Sequence, residues 1–479
     1  MLIGRSMRRP YSQGAIDMRS FVSVDFAAGP EKIMAVAEDS IMAENNEQAS
    51  GQSAYQKLLE DLPRTGPGTR AGEMLRRYWH PVCLSANLKD VPVAVRVLSE
   101  DLVLFRNGKG YPGLLGIRCP HRLASLEYGQ VREDGLMCSY HGWRFDTRGR
   151  CIDQPLEPRD SALKNNIRHL WYPVQEWAGV IWTYMGPEKE NPPPLPKIDV
   201  LARTDGELKL VDGDLRNYNY LNWMENFADM AHATVLHGLV IRDLPDELKP
   251  YNDDSIKTWT PLPVEHVETT YGMKTVSVLD TGDPEIKFVN TWALAMPIHW
   301  RFSGIRSGFP PDFTDERQEG GGMIRIIDDT HFELFRYSLV RKGNFTGGWL
   351  FGLPSDLKGT AQEKNYDKRK YKAWEGIPAL EDLVLQESQG EIPDRRLEHL
   401  ASSDRGVIML RRLWHQAMQD VAAGRDPKGV IRQDNGMLEV DTFHGHVNVS
   451  ELKIGPENMP SSTDGRGLIR DKNGKLVFA

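Results

Sequence analysis

Four metal-affine side chains fall in two short mixed pairs, Cys119-Pro120-His121 and Cys138-Ser139-Tyr140-His141, with sixteen residues between His121 and Cys138. Each pair joins a soft thiolate to an imidazole. Alternate residues of an extended backbone share a side, so Cys119 and His121 face one way while Pro120 stiffens the loop. Gly135 and Gly142 can make tight turns flanking the second pair. A zinc finger usually groups its ligands as Cys-Cys and then His-His. Here every loop is mixed, which suits a [2Fe–2S] centre with two Cys on one iron and two His on the other.

The surroundings supply the frame for such loops. From Ala94 onward the apolar period moves toward two, through Val95, Val97 and the run Leu102-Val103-Leu104-Phe105. Turn residues recur at Asn107-Gly108, Pro112-Gly113 and Arg148-Gly149. This reads as a small all-β unit over 80–186. Cys83 and Cys151 lack a paired histidine and read as core residues. Four cysteines in 479 residues are too few for a disulfide scaffold and indicate a reducing, cytoplasmic compartment. The net charge of -8, from 67 acidic and 59 basic side chains, argues against a nucleic-acid partner. No run approaches the roughly 18 apolar residues that cross a membrane.

Around this unit the chain divides further. Residues 53–79 carry helical patterns broken at Gly66-Pro67-Gly68. Residues 187–198 contain the polyproline-type stretch Glu188 to Pro196, a stiff linker. A larger unit over 199–424 starts with a helical pattern from Asn219 to His237. It continues with alternating segments expected to form an antiparallel sheet. Ala379 to Glu391 and Asp404 to Ala423 read as helices, with Gly424 as a C-cap. Residues 425–479 are turn-rich. The basic, polar stretch Lys358 to Lys372 reads as a solvated loop or helix face. Residues 1–52 begin with Arg5, Arg8 and Arg9 but lack the apolar region of a secretory signal. They read as a poorly ordered extension, a transit peptide, or a segment preceding a later start at Met18, Met34 or Met42.

A second constellation sits in the helical pattern: Asp229, His232 and His237, spaced D-x2-H-x4-H. At about 100° per residue, Asp229 and His232 lie roughly 60° apart and share a face. His237 falls roughly 140° from His232, so a straight helix cannot aim both imidazoles at one ion. If both are ligands, the helix must end, bulge or unwind between them. Two neutral imidazoles and a carboxylate make the facial triad of a non-haem Fe(II) oxygenase. Asp229 is one candidate carboxylate and Asp382 is a second. Glu381 is the rival of Asp382, with Asp394 and Asp404 more distant.

With both constellations in view the chain resembles the catalytic alpha subunits of Rieske non-haem iron oxygenases over about 55–424. The first carrying segment is R-C-P-H-R-L-A-S-L-E-Y-G followed by M-C-S-Y-H-G-W-R-F-D. Other features, G-P-G-T with L-R-R-Y-W-H-P-V, S-Q-G-E-I-P-D-R and S-S-D-R-G-V, are similar to the phthalate 4,5-dioxygenase-like group.

The resemblance implies an α+β fold, with an all-β Rieske [2Fe–2S] domain and a helix-grip-like catalytic domain. It places Cys119 and Cys138 on one iron, His121 and His141 on the other, and Trp143 and Phe145 beside the cluster. It assigns His232, His237 and Asp382 to a mononuclear Fe(II). Asp229 becomes a bridge between that iron and a cluster, touching His232 and His141 of a neighbouring chain. Asn222 either shapes the iron pocket or serves the helix.

The implied partners are an NAD(P)H-dependent reductase, acting directly or through a ferredoxin, dioxygen and a small aromatic substrate. The implied assembly is a homotrimer or hexamer, and the implied outcome is hydroxylation or O- or N-demethylation. An aromatic carboxylate would call for a pocket cation, for which Arg242, Arg301, Arg306 and Arg336 are candidates. No G-x-G-x-x-G or P-loop is present, so the nicotinamide is expected to bind the reductase instead. An electron carrier without oxygenase chemistry, with two irons rather than three, and a colourless zinc-binding interaction protein are the rival readings.

Overall fold

The computed structural model describes residues 54–232, 236, 264–280, 283–304, 318–340, 378–432, 436–440, 442, 444–448, 468–470 and 476–478. The chain divides into two units after Tyr55, and the fold below is that of the second, Gln56–Ala479. The extension 1–52, His237, Arg242, Arg306 and the basic stretch at 358–372 lie outside the described residues.

Two short helices come first among the described residues, α1 (Ala54–Asp61), which spans the division, and α2 (Arg70–Leu75). Thr69 caps α2, its Oγ1 accepting the Gly72 N–H at 3.1 Å. Strand β1 (Trp79–Leu84) follows. Then come β2 (Val93–Val97), β3 (Glu100–Arg106) and β4 (Pro112–Gly116). The apolar run Leu102–Phe105 is fully buried, as a strand covered on both faces must be. Asn107 turns the chain out of β3, its Oδ1 accepting the N–H groups of Lys109 and Tyr111 at 3.1 and 2.9 Å.

The ligand loops sit in the next set, β5 (Gln130–Arg132), β6 (Gly135–Met137), β7 (Arg144–Phe145) and β8 (Cys151–Asp153). Strands β9 (Trp171–Tyr172), β10 (Val174–Trp177) and β11 (Val180–Tyr184) complete the β unit. They form two four-stranded sheets, β2-β3-β4-β9 and β5-β6-β7-β8, and a three-stranded sheet, β1-β11-β10. All pairings within them are antiparallel.

The second half is built on a ten-stranded sheet among the described residues. The short β12 (Lys197–Ile198) precedes it, followed by β13 (Glu207–Arg216) and helix α3 (Tyr220–Ala228). Strands β14 (Val264–Glu268), β15 (Gly272–Asp280), β16 (Ile286–Ala295), β17 (His299–Gly304), β18 (Gln318–Ile326) and β19 (Phe332–Val340) form the meander. Helices α4 (Pro378–Ser388) and α5 (Arg405–Ala422) come next. Val407, Leu410, Leu413, Trp414, Ala417 and Met418 are the buried stripe of α5, at helical spacing. That stripe packs on α2, α3, β14 and β15. Short strands close the chain: β20 (Met437–Leu438), β21 (His444–Asn448), β22 (Leu468–Arg470) and β23 (Leu476–Phe478).

One apolar core joins the two halves: Trp79, Val180, Trp182 and Tyr184 pack with Tyr271, Ala293, Met323, Phe335 and Tyr337. The proline-rich segment is docked as well. Trp79 Nε1 donates to the Pro193 carbonyl at 2.8 Å, and Arg432 grips both Glu188 oxygens at 2.8 Å. It is a strap on the surface rather than a free spacer.

One expectation is corrected. The helical pattern from Asn219 to His237 is not one helix. α3 ends at Ala228, and Asp229 takes an extended backbone, φ -98 and ψ 101. The chain turns helical again at Ala231 and His232, and Leu236 lies in a π-helical turn. The break thus falls before His232. Sequence periodicity misses it because Met230 and Leu236 are buried and keep the apolar pattern running.

Candidate metal centres

The two Cys-His loops are built alike. The Cys119 carbonyl accepts the Leu123 N–H at 2.8 Å, and the Cys138 carbonyl accepts the Gly142 N–H at 3.0 Å. The Cys119 N–H donates to Ala124 and the Cys138 N–H to Trp143, at 2.9 and 2.8 Å. Each loop closes on a residue in the left-handed region, Leu123 at φ 61 and Gly142 at φ 76. A Cβ at position 142 would also press on the Pro155 ring, so glycine is required there for two reasons.

This shared design points both thiols inward and both imidazoles outward. Cys119 and Cys138 are buried beside Leu126, Leu136, Trp143 and Phe145. The imidazoles of His121 and His141 are half-buried, with ring centroids 4.5 Å apart. Trp143 stacks on His121 at 4.5 Å and 4° between planes.

Burial pushes the Cys119 thiol up to about 12. The backbone hydrogen bond from His121 opposes that shift, and the neighbouring Cys138 adds to it. The Cys119 thiol therefore resists ionising, and a bound cation would stabilise its thiolate. Desolvation, then His121 and Arg122, lower the basicity of His141. Neutral imidazole is the form that ligates metal. The donor set fits a [2Fe–2S] cluster: two cysteine sulfurs at the base and two imidazoles at the rim.

The second centre gathers around His232. Its Nδ1 meets the Asp229 carbonyl oxygen at 2.5 Å and lies 3.6 Å from Asp229 Oδ2. Its Nε2 faces Asp382 Oδ1 at 3.6 Å. With Nδ1–H donating to a carbonyl, the Nε2 lone pair is presented on the Asp382 side. A gap of 3.6 Å is too long for a hydrogen bond and suits two ligands of one ion.

The side chains of His232 and Asp382 are 15% and 14% exposed, so the point between them is shielded but reachable. Burial pushes the Asp229 carboxyl up, but the nearby His232 imidazole and the backbone N–H groups of Ala231 and His232 outweigh it and hold the group below the usual carboxylate range. Among the described residues no three potential ligands converge on one point. The partners here are His232 and Asp382, with Asp229 behind the imidazole.

Asp382 lies in the second turn of α4. Asp394 instead caps the following 3₁₀ turn through the Arg396 N–H, and Asp404 Oδ2 accepts the Ala401 N–H at 2.6 Å. Neither reaches His232. Asn222 is buried and its Oδ1 accepts from Arg395 Nη2 at 2.8 Å, so its bond runs to the C-terminal segment.

Two candidate substrate cations are structural. Arg301 Nη1 donates to Asp199 at 2.7 Å and to the Val440 carbonyl, and Arg336 pairs with Asp214. Sequence reasoning missed two neighbours of the centre. Glu225 is bound by Arg395 and Arg411. Its only sequence signal is the helical spacing, three and four residues, that separates it from Asn222 and Asp229. His266 on β14 bonds Thr275 Oγ1 at 3.0 Å and feels the charge of Asp229, and no local pattern marks it.

Comparison with known proteins bears on both centres. Residues 78–174 match the model of the Rieske [2Fe–2S] domain. The tert-butanol monooxygenase / tert-amyl alcohol desaturase oxygenase subunit of Aquincola tertiaricarbonis is 31% identical over 88% of this chain and 87% of its own. The phenoxybenzoate dioxygenase subunit alpha of Ectopseudomonas oleovorans is 34% identical over 79% of this chain and 90% of its own. The phthalate 4,5-dioxygenase oxygenase subunit of Pseudomonas putida is 27% identical over 75% and 84%. The solved structure of Pseudomonas putida CBB5 NdmA with caffeine superposes with a TM-score of 0.55 at 20% identity, over 81% of this chain and 100% of that one. That structural likeness speaks for a common fold alone.

Proposed function

Because this chain belongs to the family of Rieske oxygenase catalytic subunits, we propose that it is the oxygenase component of a multicomponent system that hydroxylates or demethylates a small aromatic substrate. The observation that carries the proposal is the placement of His232, with Nδ1 on Asp229 and Nε2 on Asp382. An electron carrier has no use for a second ligand set outside its cluster domain.

In this reading Cys119, Cys138, His121 and His141 hold the [2Fe–2S] cluster, and His232, His237 and Asp382 hold a mononuclear Fe(II). When bound, the cluster supplies single electrons and the Fe(II) supplies dioxygen activation. The protein's own part is positioning. Asp229 fixes the tautomer and direction of His232, and the shielded setting of His232 and Asp382 limits water. Asp229 also faces outward enough, at 25% side-chain exposure, to meet a cluster histidine of a neighbouring copy. That contact would be made in a trimer or hexamer.

A separate NAD(P)H-dependent reductase, directly or through a ferredoxin, delivers the electrons. The aromatic class follows the phenoxybenzoate and phthalate relatives, while the tert-butanol relative marks tertiary alcohols as the competing class. Among the described residues no helix is long and apolar enough to cross a membrane.

Two measurements test the reading. Metal analysis should find three irons per chain, and two would identify an electron carrier. A substrate-depletion screen with a generic reductase should show dioxygen-dependent loss of an aromatic acid or methoxyaromatic. Loss of tertiary alcohols alone would overturn the aromatic assignment.

A further inference from the structure

Glu225 lies on α3, one turn before Asp229, and its side chain is 13% exposed. Two guanidinium groups enclose it. Arg395 Nη2 donates to Glu225 Oε2 at 2.9 Å, and Arg411 Nε donates to Oε1 at 2.7 Å. The Arg395 and Arg411 side chains are 1% and 3% exposed. Arg395 also reaches Asn222 Oδ1 at 2.8 Å, and Arg411 grips both oxygens of Glu398 at 2.7 and 3.2 Å. Two cations thus balance two anions, with Arg395, Arg411 and Glu225 buried and Glu398 at the solvent edge, its side chain 30% exposed.

The three strands of covalent chain that meet here matter more than the charge. Glu225 belongs to α3, which leads into Asp229 and His232. Arg395 follows α4, which carries Asp382. Arg411 belongs to α5, which packs on α3. The Glu225 carbonyl accepts the Asp229 N–H at 3.0 Å, so a shift of Glu225 is passed directly to Asp229. At the other end of α3, the Tyr218 hydroxyl donates to Gln386 Oε1 at 2.8 Å and the Asn219 N–H to the Glu391 carbonyl at 2.7 Å. The segments bearing His232 and Asp382 are therefore tied together at two places, with Glu225 at the end nearer Asp229 and His232.

We propose that Glu225, clamped by Arg395 and Arg411, is a positioning residue that sets the spacing between His232 and Asp382. The proposal rests on the reading of those two residues as iron ligands. Buried ion pairs often add little net stability over an apolar replacement, but their directional bonds hold a register. Here the C-terminal half of α3 cannot shift against the segment that follows α4 without separating the Glu225–Arg395 pair. An apolar contact at position 225 would let it slide.

The test uses the holoenzyme and its Glu225→Gln and Arg395→Lys variants. The second keeps the charge but loses the fork that spans Glu225 and Asn222. The mononuclear metal is removed by a mild chelator, then Fe(II) is titrated back, with the cluster absorbance as an internal count of folded chains. Both variants should keep the cluster spectrum and lose Fe(II) affinity by about 10–100-fold. The ligand-field spectrum of Co(II) bound at the same site should shift. Met418→Ala, a cavity in α5, is the control for a general loss of stability. Parent-like affinity and Co(II) spectrum in the two variants overturn the proposal, and so does a loss no larger than that of Met418→Ala. His232→Ala separates this from failure of the underlying reading. If that variant keeps its third iron, the ligand assignment is wrong whatever Glu225 does.

Discussion

At the scale of single residues, the proposed ligand sets divide between soft donors in the two Cys-His loops and hard donors around His232. Cys119 and Cys138 sit in an apolar core that gives a hydroxyl no reason to ionise. Cys119→Ser or His141→Ala should therefore abolish the visible and EPR signatures of the cluster, and a retained anisotropic EPR signal in either would refute the assignment. Asp229 offers a sharper probe. Its Oδ1 accepts the Ala231 N–H at 2.8 Å while Oδ2 faces the imidazole. Asp229→Asn keeps the shape but turns one acceptor into a donor. The variant should keep its cluster and most of its mononuclear iron while electron transfer between them becomes the slow step. Single-turnover oxidation of the reduced cluster, with substrate and dioxygen, measures that step. A parent-like rate would exclude the bridging role.

Among the elements, α3 and α5 decide where the second centre sits. Gly406, in the first turn of α5, lies against the Ala228 carbonyl and the His266 ring. A Cβ there would collide with backbone, which cannot rotate away. Gly406→Ala should cost about 1–3 kcal/mol, the usual range for overpacking. It should also displace the end of α3, so urea titration should show a lower midpoint and the cluster absorbance should stay unchanged. An unchanged midpoint would mean that α5 is free to shift. The pairing of helices is legible in sequence only in part. The apolar stripe of α5 marks it as amphipathic, and its reading over Asp404 to Ala423 agrees with Arg405–Ala422. Nothing local says that Arg411 on its flank will meet Glu225. The break at Asp229 was hidden for the same reason, since buried Met230 and Leu236 continue the apolar rhythm past it.

For the whole molecule, buried neutral histidines tie stability to pH. Burial lowers His80 to about 4, with the Leu75 carbonyl opposing and Arg76 assisting. Burial, then Arg301, lowers His299 to about 3. Both values lie below the unfolded value near 6.5, so between them the unfolded chain binds protons that the folded chain refuses. Stability is then fully present above about pH 6.5 and is lost as pH falls toward 4. Each group contributes up to about 1.4 kcal/mol per pH unit. The urea midpoint should drop between pH 7 and pH 5, a window above that of the paired carboxylates. A midpoint that holds or rises across that window would contradict the burial of both rings.

The local part of this protein was written in its sequence, because the proposed loop ligands lie two or three residues apart and the β5–β6 hairpin lies between the two pairs. The Rieske domain, the α+β class and the antiparallel sheet follow from patterns that a few neighbouring residues specify. The carboxylate partner of His232 was different. Asp229, Glu381, Asp382, Asp394 and Asp404 were all chemically suitable, and sequence separation carries no distance. Only the tertiary structure puts Asp382 Oδ1 at 3.6 Å from His232 Nε2 and turns Asp394 and Asp404 into caps. The clamp on Glu225 belongs to the same class of fact, since charges on three separate elements become partners only when burial removes water as the alternative.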